Sequence, residues 1–398
     1  MRSLCVLALL LPAFGCARNG AEAPADPPPA VASAPAPSAA AKPAPMPEPA
    51  AAPAPAPTPE PAPAPTRADA LELTFVGDVI FGRYRESGYD PIPEEGNPVF
   101  DEIKTQLAAD VVVGNLETPL VRTLPEGSPI GSRYRFGASL EMAKYLQRGG
   151  FTVMSLANNH WFDQRIDGIE QTPVLLQELG IVGLGAARRD PPVFRVETVE
   201  AKGWRLGFVA ITTRTNAPVR EGMPVLPYLE TDRLDEDVAP VVREARANHD
   251  LVIVVVHWGE EYAEAPNSAQ VRGAHALVDA GADLVIGHHP HVLQGIERHG
   301  DGLIAYSLGN FLFENTNDIP RLTGVLRIKA ASTGARACLQ QVVFHPAYIK
   351  RSRGGPHPVP ATGGMGKRVR ERVITQGKKL GASWTLQGED LQLDGPGC

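Results

Sequence analysis

The stretch LVIVVVHWGEEY, residues 251–262, decides the fold class, because six apolar residues run without interruption into a histidine and a turn. A short apolar run that is rich in β-branched residues is typical of a strand buried on both faces, as in a parallel sheet. Four other runs of this kind are 71–76, 111–113, 151–156 and 284–286. Amphipathic segments that predict helices lie between the runs, at 139–148, 166–179, 234–247 and 268–280. This alternation predicts an α/β domain.

Two further stretches have the pattern of β-hairpins. Residues 193–211 turn at Lys202-Gly203, and residues 302–344 turn at Thr333-Gly334. Hairpins would add antiparallel strands to the parallel core. We therefore predict a two-sheet β-sandwich flanked by helices, rather than a single doubly wound sheet.

A residue that can bind a metal follows each of the five apolar runs. In chain order these residues are Asp78, then Asn115 and Glu117, then Asn158, Asn159 and His160, then His257, and finally His288, His289 and His291. The carboxyl ends of parallel strands share one edge of a sheet, so these side chains should meet in one crevice. Carboxylate, amide and imidazole ligands together suit Mn, Fe or Zn and suit Ca²⁺ poorly.

Each of these positions also has a plainer interpretation. Asp78 follows a glycine, as residues in ordinary turns and N-caps do, and His160 can be a hydrogen-bonded core histidine. His257 ends a wholly apolar strand, where burial of an imidazole requires a partner. His289 and His291 give the strongest signal, because a His-x-His pair in an extended segment places two imidazoles on one side of the chain.

Taken together, six motifs carry a resemblance to a known family. They are GDVIFGR (77–83), GNLETPL (114–120), LANNHWFDQ (156–164), VVHWGEEY (255–262), GHHPHVLQ (287–294) and YSLGNFLF (306–313). In this order and spacing, over roughly residues 71–347, the chain resembles the CapA family, named for poly-γ-glutamate capsule synthesis. That family is similar in fold to calcineurin-like metallophosphoesterases, so the resemblance implies a four-layer αββα sandwich.

The resemblance also implies roles for single residues. It implies that two divalent transition metals, Mn, Fe or Zn, are held by Asp78, Asn115, Glu117, Asn159, His257, His289 and His291. Glu117, or alternatively Asn115, would take the place of the bridging carboxylate. His160 would be the catalytic proton donor. Asn158, Asn310 and Arg83 would contact the substrate, although an arginine of this kind is more often structural and Asn310 can equally cap a turn.

One departure from the phosphoesterase pattern concerns the first metal. That pattern begins Asp-x-His, whereas Ile80 stands two residues after Asp78. One metal thus loses an imidazole ligand and would bind weakly or not at all. We expect a metal-dependent hydrolase that acts on a phosphoester or an anionic polymer with γ-glutamyl links. The alternative is a non-catalytic, metal-stabilised component that guides the polymer during export.

The first 66 residues have the pattern of an export signal and a tether. Residues 1–16 combine one positive charge, a short apolar run and Gly15-Cys16, as in a bacterial lipoprotein signal whose cysteine is lipidated. The alternative is simple cleavage. Residues 17–66 are rich in proline and alanine, with 17 prolines after residue 20, and cannot pack a core. We expect an exported lipoprotein at the bacterial cell envelope, anchored in a membrane through Cys16.

The rest of the composition limits the possible partners. The net charge is -7, and the body of the chain has no dense Lys/Arg run, so a nucleic acid partner is not expected. Only four cysteines are present, so a metal must be held by other ligands. We place the hydrolase domain at 67–348 and assign no role to a C-terminal extension at 349–398. The resemblance to the CapA family further implies other capsule synthesis proteins as partners.

Overall fold

The larger of two central sheets holds ten strands. The computed structural model describes residues 67–92, 99–127, 134–190, 193–218, 222–314, 317–333, 337–352 and 354–395. The expected signal, Cys16 and stalk lie outside these residues. Numbered in chain order, the strands of the larger sheet are β1 (Ala70–Val79), β4 (Val111–Leu116), β7 (Val153–Ser155), β8 (Val182–Leu184), β15 (Asn310–Leu312), β16 (Leu322–Ser332), β17 (Ala337–Ser352), β18 (Gly355–Pro360), β19 (Trp384–Gln387) and β20 (Asp390–Leu393). Their order is β19-β20-β17-β16-β1-β4-β7-β8, with β15 beside β1 and β18 beside β17.

The smaller central sheet has the order β13-β14-β12-β11-β10-β9. Its strands are β9 (Glu197–Ala201), β10 (Trp204–Thr212), β11 (Leu251–His257), β12 (Leu284–His288), β13 (Ile296–His299) and β14 (Gly302–Ala305). Strands β10, β11, β12 and β14 run parallel, whereas the two edge strands are antiparallel to their neighbours. Two short ladders complete the strands, β2 (Gly82–Arg85) with β3 (Gly88–Pro91) and β5 (Leu120–Val121) with β6 (Ala138–Ser139).

Among the described residues, six α-helices accompany the sheets. They are α1 (Lys104–Leu107), α2 (Leu140–Gly149), α3 (Arg165–Glu178), α4 (Ala239–Asn248), α5 (Ser268–Asp279) and α6 (Gly363–Lys378). None of the described helices is long and apolar enough to cross a membrane. The expected helix at 234–247 begins later, at Ala239, because Leu234–Val238 forms a π-helical turn before it.

The apolar residues divide into layers, which confirms the predicted sandwich. Side chains alternate along each strand, so Leu73 and Phe208 face each other between the two sheets. On the outer face of the larger sheet, Val112 packs in one cluster with residues of α2 and α3. On the outer face of the smaller sheet, Val254 packs with residues of α4 and α5. The order of layers is therefore helix, sheet, sheet, helix.

The C-terminal fifty residues extend the larger sheet, which differs from the expected boundary at 348. Strand β17 runs through that boundary, and β18, β19 and β20 pair beyond it. Val369 and Val373 of α6, together with Leu391 and Leu393 of β20, join the core between the sheets. The described residues after 348 thus belong to the same compact unit. The Gly- and Arg-rich stretch after Tyr348 has little periodicity, which hid strand β18 from the sequence.

Candidate metal centre

The strand ends of both sheets meet at one edge of the sandwich. Asp78 of β1 lies beside Asn115 of β4 in parallel register, and Glu117 follows β4 directly. In the other sheet, His257 at the end of β11 lies beside His288 at the end of β12. All of these side chains are buried. The convergence expected from parallel strand ends therefore brings carboxylates from one sheet to imidazoles from the other.

Two glycines allow the backbones at this edge to approach closely. A Cβ on Gly77 would stand 2.0 Å from the carbonyl oxygen of Gly309, the residue before β15. A Cβ on Gly287 would stand 2.1 Å from the carbonyl oxygen of Tyr306. Both contacts are far shorter than van der Waals distance, so only glycine fits before Asp78 and before His288.

The side chains form two groups of three that share Glu117. One group holds Asp78, Glu117 and His291, and the other holds Glu117, His257 and His289. In each group the ligand atoms lie within 4.8 Å of one another. The two carboxylate oxygens of Glu117 and the Nδ1 atom of His289 are buried without a hydrogen-bond partner. Because unpartnered buried polar atoms are costly, this donor set is compatible with metal binding.

Three amide side chains line the same cluster. The Nδ2 atom of Asn115 donates a 2.9 Å hydrogen bond to Asp78 Oδ1, and its Oδ1 atom accepts one of 3.3 Å from Asn158. Asn159 Oδ1 lies 2.8 Å from His257 Nε2, beside the group that contains His257. Asn115 thus contacts Asp78 and Asn158, and its Nδ2 atom also lies 3.3 Å from Nδ1 of His257, while Asn159 presents an oxygen to the same histidine.

The charges within the cluster oppose one another. Burial raises the pKa of Glu117 to about 7, with a further rise from Asp78 and an opposing effect of His291. For His291, burial lowers the pKa, but Glu117 and Asp78 outweigh burial and raise it to about 9. Burial and His291 lower the pKa of His289 to about 3. Burial and His289 also hold the pKa of His257 well below its usual value. Neutral imidazoles, the form that binds metals, are thus favoured at His257 and His289.

His160 contacts both the cluster and a second carboxylate. Its Nδ1 atom lies 2.7 Å from Asp163 Oδ2, and its Nε2 atom lies 3.8 Å from Glu117 Oε1. Burial opposes the charged imidazole, but Asp163 and Glu117 outweigh burial and raise the pKa of His160. The sequence analysis did not identify Asp163. Its position three residues after His160, within reach of one turn, could have indicated a carboxylate partner for that histidine.

The backbone is left-handed at two of the cluster histidines. His289 has φ 96° and His291 has φ 57°, which non-glycine residues rarely adopt. Outliers of this kind cluster at functional sites, where the surrounding structure holds them. His291 Nδ1 lies 2.9 Å from Asn310 Oδ1, and the amide nitrogen of Asn310 donates to the carbonyl oxygens of His291 and Pro320. Asn310 therefore holds the segment that carries His291.

Two other residues from the sequence analysis have different surroundings. His288 Nδ1 lies 3.3 Å from Asp78 Oδ1, close but not aligned as a hydrogen bond, so His288 belongs to the wall of the cluster. The Arg83 guanidinium forms ion pairs with Asp90 and Glu314. Among the described residues, no direct contact joins Arg83 to the metal-binding groups.

Comparison with known families identifies the chain. Residues 72–315 match the family described as bacterial capsule synthesis protein PGA_cap. The chain belongs to this capsule synthesis family. The match begins in β1, ends just after β15 and contains every residue of the two groups that could hold a metal.

Family members from bacilli are similar over much of the chain. The capsule biosynthesis protein CapA of Bacillus anthracis is 30% identical over 82% of this chain and 78% of its own length. The PGA biosynthesis protein CapA of Bacillus subtilis is 35% identical over 62% of this chain and 64% of its own length. The relationship predicted from the six motifs is therefore confirmed.

Solved structures resemble the domain more distantly. The calcineurin-like phosphoesterase YfkN from Bacillus subtilis is 10% identical and covers 78% of this chain and 94% of its own, with a TM-score of 0.36. A hypothetical protein from Thermus thermophilus is 20% identical and covers 72% of this chain and 98% of its own, with a TM-score of 0.38.

Proposed function

We propose that the chain is a metal-dependent hydrolase that acts during synthesis or trimming of a capsule polymer. In this proposal two divalent transition metals, Mn, Fe or Zn, share the carboxylate of Glu117. Asp78 and His291 would hold one metal, and His257, His289 and Asn159 would hold the other. The single observation that carries the proposal is that two ligand groups share a buried carboxylate whose oxygens have no hydrogen-bond partner among the described residues.

The chemistry of the proposed site divides between the metals and His160. Metals bound there would polarise the scissile link and lower the pKa of water toward neutrality. The carboxylate of Asp163 accepts a hydrogen bond from Nδ1 of His160, and this contact directs Nε2 toward Glu117 and the cluster. The raised pKa of His160 favours the protonated imidazole, which would donate the proton on Nε2 to a leaving group.

The polymer is the part of the proposal that rests on the relatives. The Bacillus subtilis relative is described as a PGA biosynthesis protein, and a more distant relative from Mycobacterium tuberculosis as a probable polyglutamine synthesis accessory protein. We infer that the substrate of this chain is an anionic polymer with γ-glutamyl links, or a phosphoester formed during its synthesis. Other capsule synthesis proteins are proposed partners.

The N-terminal residues support a proposal about location. A cleavable signal ending before Cys16 and a proline-rich tether would place the domain outside the cytoplasm, anchored by a lipid on that cysteine. A polyproline tether rises about 3.1 Å per residue, so the domain would act at a distance from the membrane surface.

One observation favours a second candidate function. Ile80 is fully buried in the apolar cluster beneath the larger sheet, so no imidazole follows Asp78 in the Asp-x-His position. With one fewer imidazole, the metal at Asp78 would bind less tightly. The second candidate is thus a polymer-guiding component in which metal only stabilises the fold.

Metal content and turnover test these candidates. We would purify the full chain and measure Mn, Fe and Zn per chain, beside a His257→Ala plus His289→Ala variant. The matched control is His275→Ala plus His299→Ala, which removes a stacked histidine pair that lies outside the two groups. The proposal expects close to two metals in the parent and the control, and a loss of at least one in the site variant.

Turnover then separates the two candidates. We would test γ-glutamyl oligomers and phosphoesters with the metal-loaded chain and with a His160→Gln variant. Turnover that depends on His160 supports the hydrolase. Metal that binds without any turnover of these substrates supports the guiding component, and less than half a metal per chain after addition of Mn or Zn contradicts both.

A further inference from the structure

Three arginines gather around two carboxylates beside the buried cluster. Arg83 and Arg85 each form ion pairs with both Asp90 and Glu314. Arg351 lies 3.7 Å from Glu314, on the opposite oxygen. We call Arg83, Arg85 and Arg351 the arginine cluster. It joins the β2–β3 ladder to the end of β17 through the single carboxylate of Glu314.

The arginine cluster has more hydrogen-bond donors than its partners can use. Each guanidinium carries five N–H donors, so three of them carry about fifteen, whereas two carboxylates offer about eight acceptor sites. Within this network, as the described residues form it, three positively charged guanidinium groups face two negatively charged carboxylates. Side-chain exposures of 45% for Arg85 and 49% for Arg351 leave these two guanidinium groups accessible to a ligand.

A polar cavity of about 200 Å³ adjoins the arginine cluster. It lies between the end of β3 and the residues where β17 ends and β18 begins. Its walls include Asp90, Glu314, Arg351 and Ser352. A space of this size holds several water molecules or one small anionic group, and it opens beside donors that ion pairing leaves available.

Two aromatic side chains connect the arginine cluster to the metal-binding groups. Arg83 forms a backbone bridge with Phe136, whose ring lies 4.2 Å from the His160 ring. Glu314 follows Phe313, whose ring lies 5.6 Å from the His291 ring. Because these phenylalanines also touch each other, at 6.2 Å, they form one wall between the two sites. One layer of buried aromatic side chains thus separates the arginine cluster from His160 and His291.

We propose that the arginine cluster binds a carboxylate of an anionic polymer whose reacting link lies at the metal-binding groups. The proposal rests on the proposed function for the position of that link, but binding itself requires no reaction. Guanidinium groups bind carboxylates through paired N–H bonds, and Arg85 and Arg351 are the accessible ones. The cluster would select a chain that repeats carboxylates over a neutral chain of the same backbone.

Binding of oligomers to the full chain tests this proposal. We would measure the Kd for a γ-glutamyl oligomer with the parent protein and with Arg85→Ala plus Arg351→Ala. The matched control is Arg122→Ala plus Arg233→Ala, because these arginines are 56% and 50% exposed and also pair with carboxylates. We expect the Kd to rise at least about tenfold in the cluster variant and less than about twofold in the control.

A second variant, expected to change the Kd in the opposite direction, distinguishes a loss of binding from a folding defect. Glu314→Gln removes the charge that all three arginines share, so it should lower the Kd for the same oligomer. A purely structural salt-bridge network predicts weaker binding or no change in both variants. An amidated oligomer, in which glutamine replaces each glutamate, should bind weakly to the parent and lose nothing further in Arg85→Ala plus Arg351→Ala.

Failure of this proposal is distinguishable from failure of the proposed function. Equal Kd values for the cluster variant and its control, or no binding of the γ-glutamyl oligomer by the parent, would overturn it. Metal content and turnover, measured on the same samples, decide the proposed function separately. We expect the Arg85→Ala plus Arg351→Ala variant to retain its metal and to turn over a substrate with a single γ-glutamyl link. The same variant should bind the oligomer more weakly than the parent does.

Discussion

Asp163 Oδ2 lies 2.7 Å from His160 Nδ1, and the same oxygen accepts the backbone N–H of Phe136. Asp163 therefore fixes both the ring of His160 and the segment that covers it. His160 Nε2 is left facing Glu117 Oε1 at 3.8 Å. This pairing determines which ring nitrogen faces the metal-binding groups and which charge state the imidazole prefers.

Replacing Asp163 should change the proton that His160 holds. In Asp163→Asn the negative charge that favours the imidazolium is lost, and the pKa of His160 should fall below that of the parent. The expected kcat of the metal-loaded chain falls about 100-fold or more, in line with loss of a general acid. An NMR titration of the imidazole, assigned with His160→Gln, measures the pKa directly. An unchanged titration curve in Asp163→Asn would remove Asp163 from this role.

Glu117 should destabilise the protein when metal is removed. Burial raises the pKa of this carboxyl to about 7 in the folded state, whereas the unfolded state loses the proton near pH 4.5. The folded state therefore loses stability relative to the unfolded state as pH rises from about 4.5 to 7. At pH 8 and with a chelator, Glu117→Gln should unfold at a higher temperature than the parent. With added Mn or Zn the order should reverse, because only the parent gains stability from binding. Scanning calorimetry checks both, and an unreversed order contradicts the shared ligand.

Metal binding should release protons near neutral pH. Without metal, Glu117 and Asp78 raise the pKa of His291 to about 9, so at pH 7 its imidazole holds an extra proton. A metal must displace that proton, and affinity should therefore increase as pH rises from 6 toward 9. Calorimetric titration with Zn²⁺ in two buffers of different ionisation enthalpy counts the protons. An apparent enthalpy that is the same in both buffers is the contrary result.

The sequence could predict the strand ends because their physics is local. Unbroken apolar runs identify buried parallel strands, and a polar residue directly after each run must lie at their common edge. Asp78, His257 and His289 were found in this way, and the structure brings them together. The second group combines Glu117 from one sheet with His257 and His289 from the other. The sequence could not predict this combination, because local patterns do not determine how two sheets stack.

Other features depended on contacts between distant parts of the chain. Arg83 was expected at the substrate, and its ion pair with Glu314, 231 residues away, could not be predicted from the local sequence. Asn115 was expected as a ligand, and its side chain contacts Asp78, Asn158 and His257, which come from three separate parts of the chain. Strand β18 contains three prolines, which argue against a strand unless it lies at a sheet edge, where the structure places it.

Lipidation of Cys16 should determine where the protein is found. Expressed in a bacterium with the full signal, the parent chain should incorporate a labelled fatty acid and sediment with membranes. Cys16→Ser should do neither and should appear in the soluble exported fraction if another peptidase cleaves the signal. Cys5→Ser is the matched control, because Cys5 lies within the apolar run. Equal labelling of the Cys16→Ser variant and the parent would contradict the anchor.

Helix α6 should be essential for the stability of the whole domain, although it follows the region that matches the family. Val369 and Val373 are buried against residues of both sheets, whereas Ile374 on the same helix is 38% exposed. Val373→Ala should lower the free energy of unfolding by about 1–3 kcal/mol, because it removes two buried methyl groups and leaves a cavity. Ile374→Ala should change it by less than about 1 kcal/mol.

Chemical denaturation monitored by tryptophan fluorescence measures both variants of α6. A single transition that shifts to lower denaturant in Val373→Ala, with an unchanged slope, would show that α6 and the sheets unfold as one unit. If α6 were a separate extension, Val373→Ala would leave the main transition unmoved and only α6 would lose structure. Ending the chain at residue 348 should then be harmless, whereas the observed packing predicts loss of the cooperative transition, because β17 would be cut and its neighbours β18 and β20 removed.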